Sequence, residues 1–218
     1  GKLIIDEVTK AIDESDYFCA DLTGFSDNAI FELGYAMAKD KHIFLILDYS
    51  HIESIRRYKE LSSLTTTGYQ KYVNSSDIVK AFNSFVSCQK PQERQIKKRT
   101  SGFSKPLLFL KSQFDTPYSQ VIASKITEYK IPCTIDDASE SRTQPIKWYL
   151  ERLSNAALIE FSAMSRKGYK LHNSKCSLVA GLAYGYDLGL LMVAEEPYEV
   201  PIDYRNILIT YDNKQRCG

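Results

Sequence analysis

The 218-residue sequence predicts an α/β protein built on doubly wound parallel sheets, and three observations carry that prediction. Short apolar runs alternate with stretches of helical length, the signature of parallel strands joined by crossover helices. One such unit is unbroken from Tyr17 to Asp48, reading YFCADL, TGFSDN, AIFELGYAMA and KDKHIFLILD as strand, loop, helix and strand. The third observation is internal likeness. ELGYAMAKDKHIFLILD aligns without a gap on VAGLAYGYDLGLLMVAE, setting Gly34 on Gly181 and Ala36 on Ala183, which reads as a duplication. The expected architecture is two tandem Rossmann-like (flavodoxin-like) parallel-sheet units, at 1–88 and 106–218, joined by a linker at 89–105.

In the first unit, Leu3 to Ser15 reads as a helix with Ile5, Val8 and Ile12 on one face. Tyr17 to Leu22 is a strand, Ala29 to Ala38 a helix and His42 to Leu47 a strand. The linker QKPQERQIKKRTSGFSK is polar and basic, with Pro91 and Gly102 as breakers. PLLFLK (106–111) then opens the second unit as a buried-type strand. Pro117 to Tyr129 is helical by the spacing of Val121, Ile122, Lys125, Ile126 and Tyr129, and Cys133 to Ile135 is a short strand. Gln144 to Leu153 is a helix with Pro145 near its first turn, where proline is tolerated. Ala156 to Phe161 is a strand, Ser174 to Tyr186 a helix and Leu188 to Ala194 a strand. The second unit therefore has a strand, a helix and a strand ahead of the repeated part, and the first has no counterpart. The first unit is expected to lack its leading strand–helix–strand, so that upstream sequence or a second chain, as in a homo-oligomer, would complete it.

Composition narrows the function. Lys plus Arg (28) nearly balance Asp plus Glu (27), so no global field favours nucleic acid or an acidic membrane surface. The basic linker is a solvated run in its ordinary reading. No apolar run reaches the ~18–20 residues of a membrane span, and no secretory signal opens the chain. Five scattered cysteines without a CxxC pair suit a reducing cytoplasm, and Cys19, inside an apolar strand, reads as a small core residue. The three histidines have no metal-ligand spacing, so no metal and no cofactor are expected. Fifteen tyrosines could stack on bases, though tyrosine more often packs with a wet hydroxyl.

The candidate site follows the carboxyl end of the Tyr17–Leu22 strand, where open α/β sheets bind ligands. Glu32 is the only charged residue among the ten from Ala29 to Ala38. A carboxylate in so apolar a helix is costly to leave ionised, and such groups gather at functional sites. A second reading stays open. Ile30, Leu33, Gly34 and Met37 form one stripe, and Glu32 with Lys39 points away from it, as a surface pair would. Asn28 reads as the helix N-cap, and Asp21 at the strand end reads as a turn former.

ADLTGFSDNAIFELGYAMAKDKHIFLIL resembles the nucleoside 2-deoxyribosyltransferase superfamily, itself distantly similar to Toll/interleukin-1-receptor-type NAD-cleaving domains. Asp21, Thr23, Gly24, Asn28, Glu32, Leu33, Gly34 and Ala36 match that family's pattern, while Ser26 and Asp27 replace its Asn-Pro. LTTTGYQKYVNSSDIVKAFNSFV fits the closing segment more loosely. The resemblance implies a nucleoside, nucleotide or NAD-like dinucleotide ligand and cleavage or exchange of its N-glycosidic bond. It implies Glu32 as the nucleophile that attacks the anomeric carbon, and Asp21, Ser26 and Asn28 as substrate-binding residues. The second unit resembles the same superfamily in HNSKCSLVAGLAYGYDLGLLMVAEEPYEVPIDYRNIL, but Val179 stands where Glu32 aligns. Valine is no nucleophile, so this copy reads as degenerate. Asn173 is expected to cap its helix, and Asp203 and Arg205 read as a local ion pair without a function. The rival expectation is a non-catalytic nucleotide-binding or sensor module of a larger protein.

Overall fold

The computed structural model describes residues 4–61, 67–85, 106–114, 116–137, 144–153, 156–162 and 169–211. Seven helices and two all-parallel sheets account for these residues. The first sheet has three strands, β1 (Tyr17–Asp21), β2 (His42–Asp48) and β3 (Gln70–Tyr72), in that order. Its helices are α1 (Ile4–Asp13), α2 (Asp27–Ala38), α3 (Ile52–Glu60) and α4 (Ser75–Phe85). The second sheet holds β4 (Leu107–Lys111), β5 (Cys133–Asp137), β6 (Ala156–Phe161), β7 (Gly189–Glu195) and β8 (Leu208–Tyr211), in the order β5-β4-β6-β7-β8. α5 (Pro117–Glu128), α6 (Ile146–Arg152) and α7 (Tyr169–Gly185) connect it. The proposed linker, 89–105, lies outside the described residues.

Register makes the halves comparable. Tyr17 pairs with His42 as Ala156 pairs with Gly189, so β1–β2 corresponds to β6–β7 residue by residue. β6 has β4 on its other side, whereas β1 has no second neighbour among the described strands. The first sheet is short by the strands that β4 and β5 supply in the second.

Several boundaries differ from the sequence reading. α2 starts at Asp27, with Ser26 as N-cap in extended conformation, so Asn28 is the second helical residue and not the cap. The Ile30 amide already closes on the Ser26 carbonyl at 3.0 Å. α7 starts at Tyr169, five residues before Ser174, which places Asn173 inside the helix and not at its cap. The polar run preceding Ser174 has loop composition, but His172 finds a buried partner on β6 and Asn173 one in Ser162 just beyond it, and tertiary contacts override propensity. α3, β3, α4 and β8 are additional elements; β3 and β8 are short, three and four residues. Cys19 is exposed, not a core residue. Its counterpart Leu158 packs with Phe109 and with Ile122 of α5, and no such helix covers Cys19 among the described residues.

The main apolar core runs through both halves, with α2 and α7 at its centre. Phe31 and Leu33 of α2 and Leu178 and Leu182 of α7 are all at most 1 % exposed. Each such side chain contributes about 1.5–3 kcal/mol through removal from water. The backbones approach closely enough that a Cβ on Gly34 would run into the Leu178 carbonyl oxygen, and one on Gly181 into the Phe31 carbonyl oxygen. In the alignment Gly34 matches Gly181 and Phe31 matches Leu178, so the contact is reciprocal. Residue i meeting j′ while j meets i′ is the geometry of a two-fold interface, here within one chain.

Candidate functional site

The loop after β1 begins with the Leu22 amide bonded to the Ile46 carbonyl at 2.9 Å, which prolongs the ladder. Gly24 (φ 82°) and Phe25 (φ 54°) then turn the chain through the left-handed region. That conformation is strained for a phenylalanine and persists only where packing fixes it. Phe25 is buried, its ring 6.4 Å from that of Tyr58 and under the Arg57 guanidinium at 4.7 Å. Arg57 also donates to the Gly24 carbonyl (3.0 Å) and to Ser174 Oγ on α7 (3.1 Å). A single side chain of α3 thus ties the loop to the other half of the molecule.

Asp21 sits at the carboxyl end of β1, exposed, with its carboxylate engaged. Oδ1 accepts from the Thr23 amide (2.9 Å) and hydroxyl (2.6 Å), and Oδ2 from the Tyr72 hydroxyl (2.5 Å). Thr23 Oγ1 in turn accepts from the Asp48 amide at 2.9 Å. The carboxylate therefore laces together the ends of all three strands, and its bond to Tyr72 raises the phenol above its ordinary value.

Glu32 lies one turn into α2, half-buried, on the side that faces the second half. Its partner is Asp203, from the turn that leads into β8. Burial, then the hydrogen bond and charge of Asp203, push the Glu32 carboxyl from 4.5 up to about 7. Two adjacent carboxyls cannot both ionise cheaply, which is why the neighbouring charge adds to the effect of burial on Glu32. Asp203 is 6 % exposed, its amide reaches Asn28 Oδ1 at 3.5 Å, and its Oδ2 has no hydrogen-bond partner among the described residues. One turn back, Asp27 accepts from Ser174 Oγ at 3.3 Å. Burial raises its carboxyl to about 6, against the opposing Ser174 bond and Arg57 charge. Behind Asp203, Tyr204 is fully buried, its ring 5.2 Å from Phe31 and 5.8 Å from Phe161. The Tyr204 hydroxyl is 3.1 Å from Ser177 Oγ.

The arrangement brings Glu32 and Asn28 together on Asp203 and leaves Asp21 in a separate cluster with Thr23 and Tyr72. No hydrogen bond joins Asp21 to Glu32 among the described residues. Ser26 is exposed at the N-cap, and its side chain makes no cap bond. Lys39 lies over the Tyr35 ring at 5.2 Å. Sequence reasoning missed Asp27, Arg57, Ser174 and Asp203. Asp203 was read only as a local ion-pair residue of PIDYRN, and none of the four carries a signal without the fold.

The second half keeps a polar strand end of different chemistry. Glu160, aligned with Asp21, is 2 % exposed and accepts from the Ser112 amide at 3.3 Å. Asn173 accepts from the Ser162 amide (3.0 Å) and donates to its carbonyl (3.1 Å). Lys175 and Asp136 form a buried 2.8 Å ion pair, to which Tyr149 donates. His172 is pushed down to about 4, by burial first and then by Lys175, and so is a neutral packing group. Val179, in the Glu32 position, is completely buried. Among the described residues no group of three or more His, Cys, Asp or Glu could hold a metal ion, and no helix is long and apolar enough to cross a membrane. No family model matches the chain, and no curated protein or solved structure does so either.

Proposed function

We propose that the protein cleaves or exchanges the N-glycosidic bond of a nucleoside, nucleotide or NAD-like dinucleotide, with Glu32 as nucleophile. In this reading it is a tandem relative of the nucleoside 2-deoxyribosyltransferases, acting in the cytoplasm, whose second copy supports the site without repeating its chemistry. The observation that carries the reading is the Glu32–Asp203 pair, a carboxyl held near pH 7 by burial and by a second carboxyl from the other half. In the reactive form Glu32 is ionised. Its oxygen bonds to C1′ as the C1′–N bond breaks, and the electron pair leaves with the base, which takes a proton from water where it needs one. Water or a second base then attacks C1′, the ester bond to Glu32 breaks, and the carboxylate is restored; water's surplus proton passes to the carboxyl pair or to solvent.

A second reading, a non-catalytic nucleotide-binding module, is favoured by one observation. Both oxygens of Asp21, a residue expected to hold the sugar, are occupied by Thr23 and Tyr72. Base release measured by chromatography from ribo- and deoxyribonucleosides, their 5′-phosphates and NAD decides between the two. The enzyme reading expects release that Glu32→Gln abolishes while ligand binding persists, because the amide keeps the shape and loses the nucleophile. Binding with no release from any donor supports the module.

A further inference from the structure

Oδ2 of Asp203 is the one buried carboxyl oxygen without a hydrogen-bond partner among the described residues. Such an oxygen costs about 1–3 kcal/mol unless a donor reaches it. Glu32 is the group beside Asp203, yet Oδ2 takes no hydrogen bond from it. In the reactive state Glu32 is ionised and has no proton to donate, so the oxygen still lacks a donor.

The missing donor has a definite place on a substrate. In a β-nucleoside the base projects from one face of the furanose, and an in-line nucleophile approaches C1′ from the opposite face at about 3–3.5 Å. The 2′-hydroxyl of a ribose lies on that same opposite face, on the adjacent carbon. A group beside the nucleophile, as Asp203 is through its contact with Asn28 one turn before Glu32, is therefore within reach of the 2′-hydroxyl and of no other sugar hydroxyl as directly. A 2′-deoxyribose has nothing to offer there.

We propose that Asp203 makes the site selective for ribosyl over 2′-deoxyribosyl donors by accepting a hydrogen bond from the 2′-hydroxyl at Oδ2. The proposal rests on the reading of Glu32 as the nucleophile. Asp203 acts here on specificity. It comes from the second half of the chain, and its amide is fixed by Asn28 of α2, so the selecting carboxylate and the nucleophile share one helix as their frame. A site built to bond a substrate hydroxyl rejects the analogue lacking it far more strongly than an apolar pocket rejects a methylene.

Matched ribo and 2′-deoxy forms of adenosine, AMP and NAD test this. The expected result is kcat/KM at least about 100-fold higher for the ribo member of whichever pair is cleaved. In Asp203→Asn and Asp203→Ala that ratio should fall below about 10-fold. A merely structural role would lower both rates and leave the ratio alone. Should either variant fail to fold, the wild-type ratio and calorimetric binding of each pair to Glu32→Gln carry the test. Equal handling of the two sugars, or preference for the deoxy form, overturns the role of Asp203 and leaves the nucleophile standing. No cleavage or binding of any pair takes down the Glu32 reading and this one together.

Discussion

At the scale of single residues, Glu32 stores a pH dependence that needs no substrate to be seen. Its carboxyl titrates near 7 in the folded protein against 4.5 ordinarily. Between those values the native state holds a proton that the unfolded chain has released, so stability is fullest below 4.5 and declines as pH rises to about 7. Allowing for the solvent that reaches a half-buried group, the decline attributable to Glu32 is about 1–2 kcal/mol. Glu32→Gln should remove that share, so denaturant unfolding at pH 5 and pH 8 should differ less in the variant than in the wild type. A wild-type curve flat from pH 5 to 8, or a variant with the same slope, contradicts the buried pair. The proposed reaction should titrate in the opposite sense, kcat/KM rising through an apparent value near 7 as Glu32 ionises. Glu32 was legible in the sequence because one charge in ten apolar positions is conspicuous. Asp203 was not, since PIDYRN is as ordinary a turn as it is a site, and only the chain's return to α2 distinguishes the two.

At the scale of elements, the helices and strands whose own periodicity buries them were legible: α2, β2, β6 and α5 stand close to where their apolar spacing put them. What composition could not give were elements held by distant partners. The first turn of α7 is polar and is fixed by Asn173 clasping the Ser162 backbone, and β3 gains its place from pairing with β2. The alignment of Gly34 on Gly181 was visible as likeness; that the two glycines interlock was not. Alanine ordinarily stabilises an exposed helical site relative to glycine by about 0.5–1 kcal/mol. At Gly34 and Gly181 the sign should reverse, because the added methyl meets a backbone carbonyl that cannot turn aside. Gly34→Ala and Gly181→Ala are each expected to destabilise by about 1–3 kcal/mol, as overpacking does. Chemical denaturation reads this directly, and an unchanged or raised midpoint would contradict the close crossing.

At the scale of the molecule, the core that passes through α2 and α7 makes the halves one folding unit. Phe31, Leu33, Leu178 and Leu182 would all meet water if the halves parted. Thermal unfolding followed by near-ultraviolet and far-ultraviolet dichroism should therefore give coincident single transitions. Two separated transitions, or isolated halves as stable as the whole, would show the α2–α7 contact to be weak.

Because Asn28 and Asp203 stand 175 positions apart on one chain, the site closes by an intramolecular event. A pocket shared between separate subunits loses occupancy as protein is diluted, since each wall must find the other by diffusion. Here the tether fixes the local concentration of one wall about the other at a value that no dilution can alter. In the proposed reaction, turnover per molecule should consequently stay constant from micromolar to picomolar protein. On that proposal the interlocked glycines have a meaning beyond packing: one face need not repeat the other's chemistry, because covalent linkage guarantees that it is present.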